Sequence, residues 1–78
     1  MKDIEYGTVH LKLNDIITEN NISINKLAFR AEMQRTQLRA YRDNKVQRID
    51  LAVIARLCYA LDCDLYDLLE YIPPEKHA

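Results

Sequence analysis

The side chains able to do chemistry fall into three groups, and spacing organises only one of them. Cys58 and Cys63 are the two thiols. Two cysteines are too few to staple a small secreted scaffold. They do not form a Cys-x-x-Cys pair, and His10 and His77 lie outside any zinc-site spacing from them. They read as reduced cysteines packed as small hydrophobes. Asp62, Asp64 and Asp67 look like a metal cluster in composition alone. The Gly and terminal Glu of a calcium loop are missing, and helix capping accounts for Asp64 and Asp67. Ser23 reads as a helix cap, because no His stands near it as a base. Gly7 is the only glycine, which excludes a Gly-rich phosphate loop. The expectation is a chain that is not an enzyme, with no catalytic residue, no metal and no cofactor.

The third group is basic. Residues 26–48 hold Lys26, Arg30, Arg35, Arg39, Arg42, Lys45 and Arg48 against Glu32 and Asp43, a net charge of +5. The rest of the chain is −6, so the formal total of −1 conceals a strong asymmetry. Such a segment is the footprint of a polyanion-binding face. Within it Arg35, Thr36 and Arg39 share one helical face, with Gln37 beside them. A guanidinium can donate two hydrogen bonds to guanine O6 and N7, and a glutamine can pair with adenine N6 and N7. Base contact is therefore expected of Arg35, Thr36, Gln37 and Arg39. Phosphate contact is expected of Arg42, Asn44, Lys45 and Arg48, and of Ile24 and Asn25 through amides at a helix start. Lys26 and Arg30 read as solubilising charge.

These residues need helices to position them. The chain has 78 residues, 49% hydrophobic and 29% charged, which suits one small domain over 1–78. Such a domain buries only about 60% of its unfolded surface, which favours a binding module over an enzyme. One Gly and two Pro are too few for a many-stranded sandwich. No apolar run approaches a membrane span, and the start, MKDIEYGTVH, has no signal-peptide core. A cytoplasmic protein without membrane contact is expected.

Apolar spacing reads as five short helices. Val9, Leu13, Ile16 and Ile17 mark the first, and Asn20-Asn21 breaks it. Ser23 caps a second, with Ile24, Leu27, Ala28 and Ala31 inward. Met33 and Gln34 fall in a tight connection. The third starts near Arg35, has Leu38 and Tyr41 inward, and closes at Asp43-Asn44. Lys45 to Ile49 form a loop. Asp50 caps a fourth, whose inner face is Leu51, Ile54, Ala55, Cys58 and Leu61, with Val53, Leu57 and Ala60 as a second stripe. Asp64 caps a fifth, with Leu65, Leu68, Leu69 and Ile72 inward, and Pro73-Pro74 ends it. Residues 1–8 are an arm or a short strand, and residues 73–78 are a tail.

A two-turn helix, a tight turn and a helix of about ten residues make helix-turn-helix spacing. At this point the sequence resembles the lambda-repressor-like, Cro-type (XRE-type) regulators over residues 9–72. Leu27-Ala28, Leu38, the run from Ile54 to Cys63 and Asp67-Leu68-Leu69 carry the likeness. Four positions depart from the family pattern. Glu32 stands at the usual turn Gly, Ile24 at a common Gln, Gln34 at the usual Ser or Thr cap, and Ala40 where longer base-reading side chains are frequent. The resemblance implies an all-α, five-helix domain and a repressor that reads a near-palindromic double-stranded operator with its third helix. It also implies a homodimer, for which Ile4, Tyr6, Tyr66, Tyr71 and Ile72 offer apolar surface. Two alternatives stay open: an antitoxin-like or other protein-interaction module with an unidentified partner protein, and a DNA-binding accessory factor of a mobile element.

Overall fold

The structure is a computed structural model and describes residues 5–75. Along the chain come β1 (Thr8–Leu11), α1 (Leu13–Glu19), α2 (Ile24–Ala31), α3 (Arg35–Arg42), α4 (Leu51–Leu61), α5 (Leu65–Leu68) and β2 (Leu69–Ile72). The expected helices are present, but the fold is not strictly all-α. β1 and β2 pair antiparallel, with Thr8 opposite Ile72, Val9 opposite Tyr71, His10 opposite Glu70 and Leu11 opposite Leu69.

The sheet corrects both ends of the sequence reading. Val9 fits a helical series with Leu13 and Ile16, yet Thr8-Val9-His10-Leu11 also alternates at the strand period. The strand wins because Leu11 reaches the core beneath Leu69, its cross-strand partner. α5 likewise stops at Leu68, and Leu69 is already extended, at φ −117° and ψ 141°. Ile72 and Leu65 are exposed rather than inward. The Lys12 amide donates to the Leu68 carbonyl at 2.8 Å and ties the two ends together. Of the expected arm, Ile4 lies outside the described residues. Gly7 has φ +91°, and a Cβ there would collide with the Ile72 carbonyl oxygen, so this strand entry requires glycine.

The core joins Leu13, Ile16 and Ile17 of α1, Leu27, Ala28 and Ala31 of α2, Leu38 and Tyr41 of α3, Val53, Ile54 and Leu57 of α4, and Leu68. On α4, Val53 and Leu57 of one stripe and Ile54 of the other are buried, whereas Leu51 and Ala55 are exposed. Two polar contacts lock α4 in place. Its Asp50 amide donates to the Tyr41 hydroxyl at 3.2 Å, and Arg56 Nε donates to the Ala31 carbonyl at 2.8 Å.

Four helix ends share one device. Asn21, Glu32, Asn44 and Asp62 are left-handed, at φ between 52° and 58°. After each, the next amide reaches back five residues: Ile22 to Ile17, Met33 to Ala28, Lys45 to Ala40 and Cys63 to Cys58, at 2.9–3.1 Å. These are Schellman closures built without a single glycine. Asn and Asp tolerate this conformation; a Glu holds it at a cost of ~1–2 kcal/mol. Replacement of Glu32 by Gly should therefore raise stability by roughly 0.4–1 kcal/mol, after deduction of the extra unfolded-state entropy. Thermal denaturation checks this, and a lower midpoint for Glu32→Gly would refute it.

Candidate nucleic-acid interface

α3 is an outward-facing helix pinned on its inner side. Leu38 is fully buried and Tyr41 nearly so, which fixes the rotation of the helix about its axis. Helical spacing then puts Thr36 and Arg39 at the middle of the outward face, Arg35 and Arg42 along one flank, and Gln37 along the other. Arg35, Thr36, Gln37 and Arg39 are all exposed, and Ala40 and Arg42 are half-buried. The expected base-reading set is thus gathered on one accessible surface, offering guanidinium, hydroxyl and amide donors.

The turn before α3 is short because Glu32 reverses the chain at φ 55° and ψ 49° and Met33 drops into the core. Gln34 occupies the N-cap of α3, but its side chain makes no capping bond. The amides of that first turn therefore lack a side-chain acceptor from the cap residue. α2 is capped conventionally: Ser23 Oγ accepts from the Lys26 amide at 3.1 Å. Ile24 and Asn25, at the start of α2, keep first-turn amides without helical partners. Asn25 also reaches α3, where its Oδ1 accepts from Arg35 Nη1 at 3.2 Å. That contact orients the Arg35 fork across the helix-turn-helix, a link that residue types alone did not indicate.

Beyond α3 the roles divide. Lys45 and Arg48 are exposed on a loop that Val46 anchors by packing against the core. Arg42 is engaged: its Nε and Nη2 donate to the two carboxylate oxygens of Asp43 at 2.8 and 3.1 Å. The pair raises the Arg42 pKa and holds the Asp43 carboxyl below its ordinary value, chiefly through the hydrogen bond. Asn44 is engaged too. Its Oδ1 accepts from the Leu11 amide at 2.7 Å and its Nδ2 donates to the Leu11 carbonyl at 2.9 Å. Asn44 thus commits its Oδ1 and one Nδ2 hydrogen to the sheet, and its second Nδ2 hydrogen is left over.

Elsewhere the polar residues have structural work. The Asp64 amide donates to Asp67 Oδ2 at 3.0 Å and starts α5. Cys58 and Cys63 are free thiols, and burial beside Cys58 pushes Cys63 up to about 11. Among the described residues no group of three His, Cys, Asp or Glu side chains could hold a metal ion, and no helix is long and apolar enough to cross a membrane.

A buried-backed, donor-rich helix after a tight left-handed turn is the geometry by which a family match can be judged. The Cro/C1-type helix-turn-helix DNA-binding domain matches residues 12–74. The chain belongs to this family. No curated protein sequence matches it. The crystal structure of the transcriptional regulator VanUg is similar in fold, with a TM-score of 0.70 at 18% identity over 95% of this chain and 100% of that one. As a Cro/C1-type helix-turn-helix domain the chain is a DNA-binding domain, and β1 lies just ahead of the matched segment.

The Asn44 geometry yields a direct test. Asn44→Gly keeps the left-handed turn but removes both bonds to Leu11, whose amide is buried. Stability should fall by about 1–2 kcal/mol, opposite in sign to Glu32→Gly. Paired melting curves of the two variants check this; a gain for Asn44→Gly would show that the side-chain bonds carry nothing.

Proposed function

We propose that this chain is a sequence-specific double-stranded DNA regulator, a repressor that occupies an operator and excludes polymerase. α3 enters the major groove, Arg35, Thr36, Gln37 and Arg39 read base edges, and the start of α2 and the loop after α3 hold phosphates. One observation carries the reading: the outward face of α3 presents Thr36 and Arg39, flanked by Arg35, with its rotation fixed by buried Leu38 and Tyr41. A helix so displayed offers bidentate donors where major-groove acceptors lie. Arg42, Lys45, Arg48 and the Ile24 and Asn25 amides supply the sequence-independent contacts.

One such helix reads only a few base pairs, too few to discriminate among genomic sites. A two-fold dimer places two recognition helices ~34 Å apart on one face of the duplex and matches a near-palindrome. The exposed Tyr6, Tyr66, Tyr71 and Ile72 support an assembly surface at the sheet and α5. VanUg is by its name a transcriptional regulator, and regulation of transcription is the reading extended here to this chain.

Selection of bound sequences from random DNA should return a motif with two half-sites. Affinity for it should fall steeply with salt, by ~10³–10⁵ between 50 and 200 mM if a dimer neutralises 6–10 phosphates. Weak binding independent of salt would favour a protein-interaction module. Arg39→Ala should cost about 1–3 kcal/mol and relax preference at one base pair, whereas Lys45→Ala should weaken all sequences alike and lower the salt slope by about one. Equal loss of preference in both variants would break the division into base and phosphate contacts. Sedimentation at micromolar concentration should show about twice 9.2 kDa; a monomer both free and on DNA would rule out the dimer.

A further inference from the structure

Asp43 is one of only two acids in the basic segment 26–48. It sits at the C-cap of α3, where the negative end of the helix dipole disfavours a carboxylate. By helical spacing it continues the line of Thr36 and Arg39, in the middle of the outward face. Both its oxygens are given to Arg42, in the one ion pair among the described residues. The helix end alone does not favour an acid at this point; the Arg42 fork does. A bidentate carboxylate on a guanidinium has the same hydrogen-bond pattern as a phosphate on that guanidinium.

We propose that Asp43 is a built-in substitute for a DNA phosphate on the Nε/Nη2 edge of Arg42, which a backbone phosphate must displace to take that edge, while the Nη1 donors stay outside the pair. It is a brake on phosphate binding, set into the recognition surface itself. The inference rests on the reading of α3 as the DNA-contacting helix. The cost of breaking the pair is the same for every duplex, so it lowers phosphate-driven affinity without changing the ratio between sequences. Asp43 thus lowers the overall affinity for duplex DNA, unrelated sequence included, and discrimination rests with Arg35, Thr36, Gln37 and Arg39.

The test measures binding to mixed-sequence duplex DNA across a salt series, for the full chain and three variants: Asp43→Asn, Arg42→Ala and the double variant. Asp43→Asn should bind roughly three- to tenfold tighter at ~100 mM salt, with a salt slope steeper by about one per protomer. In the Arg42→Ala background the gain should shrink by at least half, since the freed group is absent. Asp43→Ser should reproduce the gain, and matched melting curves keep folding out of the comparison. An unchanged affinity and slope for Asp43→Asn would overturn the proposal. So would an equal gain with and without Arg42, which would reduce Asp43 to a simple repelling charge. If the unaltered chain itself fails to bind duplex DNA in a salt-dependent way, the reading of α3 fails first, and separately.

Discussion

The pair of hydrogen bonds between Asn44 and Leu11 is the contact on which the placement of α3 turns. In a strand the amide and carbonyl of one residue point to the same side. Asn44 meets both of them from Leu11, as a third strand would. The same residue holds φ +58° and stops α3. Asn suits this post well: it tolerates the left-handed conformation, and its short side chain carries both a donor and an acceptor. Glycine would lose the bonds, and aspartate would lose the donor. The contact ties the end of α3 to the sheet, and the Lys12–Leu68 bond ties the sheet to α5. The other end of α3 is tied to α2 by Asn25 and Arg35. α3 is therefore held at both ends as well as along its buried side.

A second constraint follows from making helix ends without glycine. Each of four helices closes on a left-handed Asn, Glu or Asp. Three of those residues are of types that reach this conformation cheaply; Glu32 is not. It lies in the turn between the two helices of the motif, where connection length sets how α2 and α3 cross. Arg56 of α4 braces that turn by donating to the Ala31 carbonyl, at the negative end of α2. Strain in the turn is thus held by a contact from outside the motif, and the motif depends on the helix that follows it.

Much of this was legible in the sequence, for local reasons. Ser23 and Asp50 announce helix starts by their chemistry, and both accept the capping bond expected of them. Asn20-Asn21 and Asp43-Asn44 announce stops, and Asn21 and Asn44 are left-handed. Leu27, Ala28, Leu38 and Tyr41 fall inside because helical period alone selects them. The sheet was hidden for a non-local reason. Four-residue strands carry little pattern, and β1 finds its partner about sixty positions away. The faces of α4 were ambiguous because Leu51-Ala52-Val53-Ile54-Ala55 is apolar nearly all round, so only packing could choose Val53 over Leu51. The individual site contacts were less legible than the site. Charge and spacing pointed to the α3 surface, but no residue type says that Asn44 serves the sheet, that Asn25 steers Arg35, or that Arg42 is already taken.

Those three contacts change how the basic segment should be understood. Counted by charge, Arg35, Arg39, Arg42, Lys45 and Arg48 are five equivalent cations. In the fold they are unlike. Arg35 is oriented by an amide, Arg42 is occupied by a carboxylate, and Lys45 and Arg48 stand free on a loop whose core anchor is Val46. Orientation favours directional, bidentate contacts, and freedom favours the less directional attraction of phosphates. The surface is therefore graded from an oriented donor at the start of α3 to exposed charge beyond its end. If α3 enters the groove by its N-terminal half, as proposed, it needs that order, because a misaligned fork at a base edge forfeits its second hydrogen bond while a misaligned lysine near a phosphate loses little.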